Sequence, residues 1–366
     1  MSTYVRNLTP LTAIHPGEVL LDELEARFIK QKDFATLTGI LPSQLNEIIH
    51  GKRGINAELA LIIGKALEMD PKIWINLQTN YELDQAKIDK KTQNRLAAIG
   101  QWQMISGYVP IDYFRKSGYL HGDPVEDISK IKDIYRINHL DQLPTLHSQA
   151  SYTRFRKSEK LAVERTNLLG WVSLVVFEAS KIVCKAFDHR KKDEVIPKLR
   201  EIIFKNKNTV TRSKEILCEY GIKLVILDHP DKCAVDGYAF WSEGNPSIAL
   251  TLRHKRIDYF AFTLFHELGH TYLHLVNDNT SDFIDIDDDV QIKNTHEEKE
   301  ANQFAKDHLI PETEWSFFFK SKTKTNDKNM LTLARKVRIH PAVVKGRLCH
   351  ELNNYRLKSR IDHSLG

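Results

Sequence analysis

The sequence predicts a mainly helical chain with a small β-sheet near its C-terminal end. Three observations carry this. The first 82 residues break into five short apolar-striped segments separated by Gly and Pro. Residues 83–215 continue the helical period without a sharp motif. From residue 216 on, short strand patterns alternate with two helices that carry histidines and acids. The expected organisation is therefore a five-helix N-terminal domain (1–82), a helical middle region (83–215) and a C-terminal α+β domain (216–366) that ends in a helical module.

The elements follow in order. "PGEVLLDELEARF" puts Leu20, Leu21, Leu24 and Phe28 on one face, with Pro16 at its start. "QKDFATLTG" is a short helix stopped by Gly39. "LPSQLNEIIHGKRG" starts at Pro42 and Ser43 and stops at Gly51. "NAELALIIGKALEMD" carries an apolar stripe, and "PKIWINLQTNYELDQAK" runs on as a connector. "GWVSLVVFEASKIVCKAF" reads as a buried helix and "YGIKLVIL" as a strand. "GYAFWSEGNPSIALTL" reads as two strands around a Gly-Asn-Pro turn.

The bulk numbers set limits. The 366 residues are 42% hydrophobic and 28% charged, enough for a sizeable core without metals or disulfides. Cys184, Cys218, Cys233 and Cys349 are far apart with no CxxC pair, so reduced thiols and a cytoplasmic location are expected. No apolar run reaches a membrane-spanning length, and the N-terminus has no secretory apolar core. The net charge is +5, yet residues 1–82 hold eight Lys/Arg against ten Asp/Glu. The basic excess lies in "KAFDHRKKDEVIPKLREIIFKNKNTVTRSK", read as a solvated helix face.

The second and third segments, joined at Gly39-Ile40, form a helix-turn-helix pattern. Small Ala35 allows close approach, and Leu45, Ile48 and Ile49 seat the third helix. Ser43, Gln44 and Asn46 are then free to meet base edges in a major groove. Gln31, Lys52 and Arg53 suit phosphate contacts. The competing reading is a helical bundle that binds protein. The stretch "HPGEVLLDELE" together with "IIHGKRGINAELALIIGKAL", within residues Leu11–Tyr81, resembles the HigA-type antitoxins of the Xre-like helix-turn-helix group. That resemblance implies a double-stranded DNA operator, a homodimer reading two half-sites, and a toxin or other protein partner.

"FTLFHELGHTYLHL" carries the second constellation. On a helix, His266 and His270 lie one turn apart and can aim at one ion; Glu267 sits beside them, placed as a general base. Leu264, Phe265 and Leu268 bury the other side, and Gly269 admits a close neighbour. A catalytic zinc needs a third ligand from elsewhere. Glu300 in "HEEKEANQF" is the first choice and Glu297 the alternative. His274 reads as supporting or packing, and His254 and His308 as surface histidines. The acidic loop "NDNTSDFIDIDDDV" lacks the glycine and the terminal glutamate of an EF-hand and reads as solvated.

These residues, with "EKEANQFAKDHLIP" and "SIALTLRH", resemble the ImmA/IrrE family of zincin-like metallopeptidases over Gly221–Pro311. The resemblance implies Zn²⁺ on His266, His270 and Glu300, Glu267 as general base, and a peptide substrate. It also implies an edge strand that holds the peptide, for which Ser247–Leu250 is the candidate. Some zincins place an acid four residues after the glutamate ligand; counted from Glu300, that position is Phe304. The expected function is a DNA-binding regulator or antitoxin carrying a zinc-dependent peptidase, with cleavage of a partner or of the chain itself coupled to release from DNA. The alternative is a non-catalytic antitoxin whose zincin-like domain only docks a protein.

Overall fold

A computed structural model of the chain describes residues 11–149, 162–231, 233–286 and 295–366. Packing divides the chain into two units, residues 1–103 and 104–366.

The first unit opens with α1 (Pro16–Ala26), α2 (Gln31–Thr38), α3 (Pro42–Ile49), α4 (Ala57–Leu67) and α5 (Pro71–Ile88). Helix α6 (Lys90–Ile105) follows. Local chemistry sets the ends. His15 caps α1: its Nδ1 accepts from the Gly17 N–H at 2.9 Å while Glu18 accepts from the His15 N–H at 3.1 Å. Gly39 ends α2 in the left-handed region, and Pro42 opens α3 at its first turn, where a missing N–H costs nothing. Leu20, Leu24, Phe34, Leu45, Ile48, Ile63 and Trp74 close one core. Removing any one of these large side chains down to Ala would cost about 2–5 kcal/mol.

The second unit begins with α7 (Ile111–Lys116), α8 (Pro124–Tyr135), α9 (Gln142–Gln149), α10 (Ala162–Lys181), α11 (Lys192–Lys205) and α12 (Thr209–Glu219). A four-stranded sheet follows, made of β1 (Lys223–Ile226), β2 (Val235–Ser242), β3 (Asn245–Leu250) and, after α13 (Ile257–His270), β4 (Phe283–Ile286). Helices α14 (His296–Leu309), α15 (Glu312–Phe319), α16 (Asp327–Val337) and α17 (Pro341–Glu351) complete it. The mainly helical class with a small sheet is what the sequence predicted.

The strand order is β1-β3-β2-β4, with β1 parallel to β3 and the other pairs antiparallel. The hairpin turn is Glu243-Gly244, both at positive φ, and Ser242 pairs with Asn245. Asn245 and Pro246 therefore belong to β3 and not to the turn. Strand β3 lies inside the sheet, paired on both sides and buried throughout. This overturns Ser247–Leu250 as a peptide-holding edge: its backbone groups are already used by β1 and β2. Among the described residues β4 pairs on one side only, with β2.

Cys184 and Cys218 form a disulfide, against the expectation of reduced thiols. They lie 34 positions apart in sequence, and the chain leaving α10 passes beside the end of α12, where the Lys185 N–H donates to the Cys218 carbonyl. Nothing in that spacing announced the contact. No helix among the described residues is long and apolar enough to cross a membrane. The tip of the acidic loop, residues 287–290, lies outside the described residues.

Candidate metal centre and helix-turn-helix face

Helix α13 forms the floor of the site. Ile257, Ala261, Leu264, Phe265 and Leu268 are fully buried and fix its rotation. That rotation turns His266 and His270 to the opposite face, where both are buried at 2% and 1% exposure. Helix α14 crosses close above, because Gly269 has no side chain. A Cβ there would sit 2.8 Å from the Ala301 Cα.

The third group at the cluster is Glu298, not Glu300. Its carboxylate lies 3.2 Å from His266 Nε2 and 3.4 Å from His270 Nε2. One ligand-type atom from each of the three residues falls within 4.8 Å of the others. The reason is helix phase. Ala301 and Ala305 mark the face of α14 that meets α13, and both are fully buried. Glu298 precedes them by three and seven residues, so it shares that face; Glu300 sits about 100° away. Glu300 is exposed instead, 3.1 Å from His274 and 3.2 Å from His296. Glu297, the other sequence candidate, is half-buried and outside the cluster. The small alanines were the signal that could have set the phase.

Glu267 is fully buried, and neither of its carboxylate oxygens has a hydrogen-bond partner among the described residues. Its space depends on Gly237 of β2, where a Cβ would meet the Glu267 Oε1 at 2.0 Å. Burial pushes the Glu267 carboxyl well above its usual range, and Asp285, Glu298 and Asp236 push it further. Burial would also raise Glu298, but the two imidazoles outweigh it and hold that carboxyl at about 2. Of the two rings, burial and the neighbouring His266 lower His270 to about 4, despite Glu298. Burial opposes protonation of His266 too, but Glu298 and Asp285 win and raise it. Two imidazoles thus sit among Glu298, Glu267 and Asp285, an arrangement that suits a dication.

The remaining ring nitrogens have partners of their own. His266 Nδ1 meets the Asn302 Oδ1 at 3.2 Å. Asn302 lies four residues after Glu298, so the orienting position that Phe304 would have filled behind Glu300 is occupied by an amide behind Glu298. His270 Nδ1 meets His274 Nδ1 at 3.1 Å. Phe283 of β4 stacks on the His270 ring, centroids 4.5 Å apart and planes at 15°. His254 packs against Tyr259 and His308 stacks on Phe304, so neither joins the cluster.

In the first unit, Gln31 opens α2 and is exposed. Ser43 and Asn46 are exposed on α3, Gln44 is half-buried, and Lys52 and Arg53 are exposed just beyond. Arg53 pairs with Glu47 at 3.5 Å. Leu45, Ile48 and Ile49 hold the other face of α3 in the core.

Comparison with known proteins adds two likenesses. The model of the peptidase M78 family, the IrrE N-terminal-like domain, matches residues 218–349. The N-terminal part is similar to virulence-associated protein I of Dichelobacter nodosus, 38% identical over 85 residues, 23% of this chain and 79% of the relative. An uncharacterised HTH-type transcriptional regulator of Haemophilus influenzae is 30% identical over 84 residues, covering 23% of this chain and 78% of its own. A solved addiction module antidote protein of a HigA family from Coxiella burnetii is 32% identical, covers 21% of this chain and 84% of its own, and superposes with a TM-score of 0.20. The N-terminal part is therefore similar to helix-turn-helix regulators and to HigA-family antidote proteins, and residues 218–349 match the IrrE N-terminal-like peptidase M78 family.

Proposed function

We propose that the chain is a DNA-binding regulator whose C-terminal domain is a metal-dependent peptidase. The observation that carries the peptidase reading is Glu267: a fully buried carboxyl group without a hydrogen-bond partner among the described residues, kept clear by Gly237, beside a His266–His270–Glu298 cluster. A buried carboxyl group without hydrogen-bond partners is costly, and groups of this kind cluster at sites whose chemistry uses them. A purely structural metal site has no use for it.

His266, His270 and Glu298 would hold the ion, and two imidazoles with one carboxylate suit Zn²⁺. When bound, that ion would polarise a substrate carbonyl and acidify a water molecule. Glu267 would accept the proton at its carboxylate and later return it to the leaving amine. Buried Leu264, Phe265 and Leu268 lock the histidine helix behind this face. The outer side of β4 is the place for an extended peptide, because Phe283 docks this strand directly on His270.

On the DNA side, Ser43, Gln44 and Asn46 would read base edges from α3, and Gln31, Lys52 and Arg53 would meet phosphates. A homodimer would bring two such helices to two half-sites one helical turn apart. A toxin partner is the reading suggested by the HigA-family likeness.

The test is zinc content in purified wild type, Glu298→Ala, Glu300→Ala and Glu267→Gln proteins, with peptide cleavage assayed in parallel. The proposal expects one zinc per chain in wild type, loss in Glu298→Ala, retention in Glu300→Ala, and zinc without cleavage in Glu267→Gln. Wild type without zinc would end the peptidase reading and leave the DNA-binding one standing.

A further inference from the structure

We infer that His274 and Glu300 are positioning residues of the metal centre, joined to it in the chain Glu300–His274–His270. The inference rests on the metal-site reading above and concerns groups that the peptidase chemistry did not use.

The geometry runs outward from His270. Its Nε2 faces Glu298 and His266, so only Nδ1 is left to fix the ring. That nitrogen meets His274 Nδ1 at 3.1 Å. His274 lies in a π-helical turn, Thr271–Leu275, that continues α13. Its second nitrogen, Nε2, lies 3.1 Å from the Glu300 Oε2. His296 Nδ1 approaches the same Glu300 oxygen at 3.2 Å. Phe283 lies against both rings, with centroids 4.5 Å from His270 and 5.1 Å from His274.

Proton placement along this chain has one consistent solution. A ring that binds a metal through Nε2 must carry its proton on Nδ1. The His270 Nδ1–H then donates to His274 Nδ1, which must be a bare acceptor. The His274 proton therefore sits on Nε2 and donates to the Glu300 carboxylate, which can only accept. Each contact selects the tautomer of the next, and the carboxylate fixes the series. His266 is held differently, by the neutral Asn302 amide oxygen one turn beyond Glu298. The two histidines thus lean on unlike supports: an amide directly, and a carboxylate through a second imidazole. Supports of this kind set ring orientation and ligand basicity, and their loss typically costs about 10–100-fold in metal affinity.

The bland alternative is that Glu300 and His274 form a surface ion pair of small value. The two readings differ in what they predict for zinc. The experiment measures the zinc dissociation constant by chelator competition for wild type, Glu300→Gln, Glu300→Ala, His274→Phe and the His274→Phe/Glu300→Ala double variant. The visible spectrum of the cobalt-loaded proteins is recorded alongside. Glu300 is exposed, so its variants leave the core intact and keep the test meaningful if His274→Phe fails to fold. The relay expects zinc weakened about 10–100-fold in His274→Phe. It expects a smaller loss in Glu300→Ala, and a loss in Glu300→Gln that is smaller still. The double variant should match His274→Phe alone, because Glu300 acts only through His274. The cobalt spectrum should shift in each weakened variant. Wild-type affinity and spectrum in the single variants would overturn the relay while leaving the metal site in place. Full additivity in the double variant would do the same. Complete zinc loss in Glu300→Ala would make Glu300 a ligand, against both the relay and the Glu298 assignment. Wild type without zinc would remove the metal centre and the relay with it.

Discussion

Two segments of this chain share one turn design and use it oppositely. In the first unit, α2 ends at Gly39 in the left-handed region, Ile40 is buried, and Pro42 opens α3. In the second, α16 ends at Arg338 in the left-handed region, Ile339 is buried, and Pro341 opens α17. The following helices then diverge. Where α3 presents Ser43, Gln44, Asn46 and Glu47, α17 has Ala342, Val343, Lys345 and Gly346. Ala342 and Val343 are buried, α17 lies against α13, and Gly346 closes onto Asp258 at the start of that helix. One unit offers its second helix outward; the other uses it to brace α13, the helix of His266 and His270. Turn chemistry specifies a helix-turn-helix, and side-chain polarity on the second helix decides its use.

Exchanging the polarity is the strongest test of that comparison. Val343→Gln buries an amide among apolar neighbours and is expected to cost about 3 kcal/mol, read from the urea midpoint. The mirror change Gln44→Val should leave stability within about 0.5 kcal/mol. Under the proposed DNA reading, it should also weaken operator binding about tenfold in a gel-shift titration, the scale of one lost base contact. Equal destabilisation by both changes would break the comparison.

Asp258 tests the brace. It is nearly buried, 2.6 Å from Arg256 and 3.2 Å from His363. Burial alone would raise its carboxyl, but His363 and Arg256 outweigh that and hold it below its ordinary 3.8. A depressed carboxyl adds stability that is fully present above pH 3.8 and is lost as pH falls through the folded value. Asp258→Asn should therefore cost about 2 kcal/mol at neutral pH, discounted for the exposed Arg256. The gap from wild type should close in strong acid. A gap that widens on acidification would contradict this account.

The smallest effect concerns the shared turn itself. Gly39 and Arg338 hold φ of 69° and 52°. Among the described residues nothing lies within 4 Å of a Cβ built on Gly39, so Gly39→Ala isolates backbone strain and should cost about 1 kcal/mol. Arg338→Gly relieves the same strain and should cost nothing or add up to about 1 kcal/mol, apart from the exposed Arg338–Glu201 pair that it removes. Thermal unfolding of both variants would show whether the two turns are equivalent.

Much of this was legible in the sequence, and the misses share a cause. The helix starts at Pro16, Pro42 and Pro71, the stop at Gly39 and the one-turn spacing of His266 and His270 are local facts, and they appear as read. The outward-facing positions on α3 followed from its apolar stripe, and Ser43 and Asn46 are exposed accordingly. The choice of Glu300 failed because three acids lie within four residues, and only the phase of α14 against α13 separates them. That phase is set by Ala301 and Ala305, the small, fully buried residues that let α14 approach α13. The position of Ser247–Leu250 inside the sheet is not legible because its sequence looks the same whether a strand is central or peripheral.

What the sequence alone determined is therefore most of the helices, their proline starts and glycine stops, and the pair of histidines on one helical face; the hairpin turn and β4, a strand inside the stretch expected to be a solvated loop, were not among them. The features so determined depend on residues within about one turn of each other, where backbone geometry leaves few choices. The tertiary structure decided which carboxylate meets those histidines, which strand lies inside the sheet, that Cys184 reaches Cys218, and that the first turn of α17 is buried at Ala342 and Val343 where α3 leaves Ser43 exposed. Each is a contact between segments distant in sequence. Such contacts are selected by the packing of whole faces, and no short stretch of the chain contains both partners.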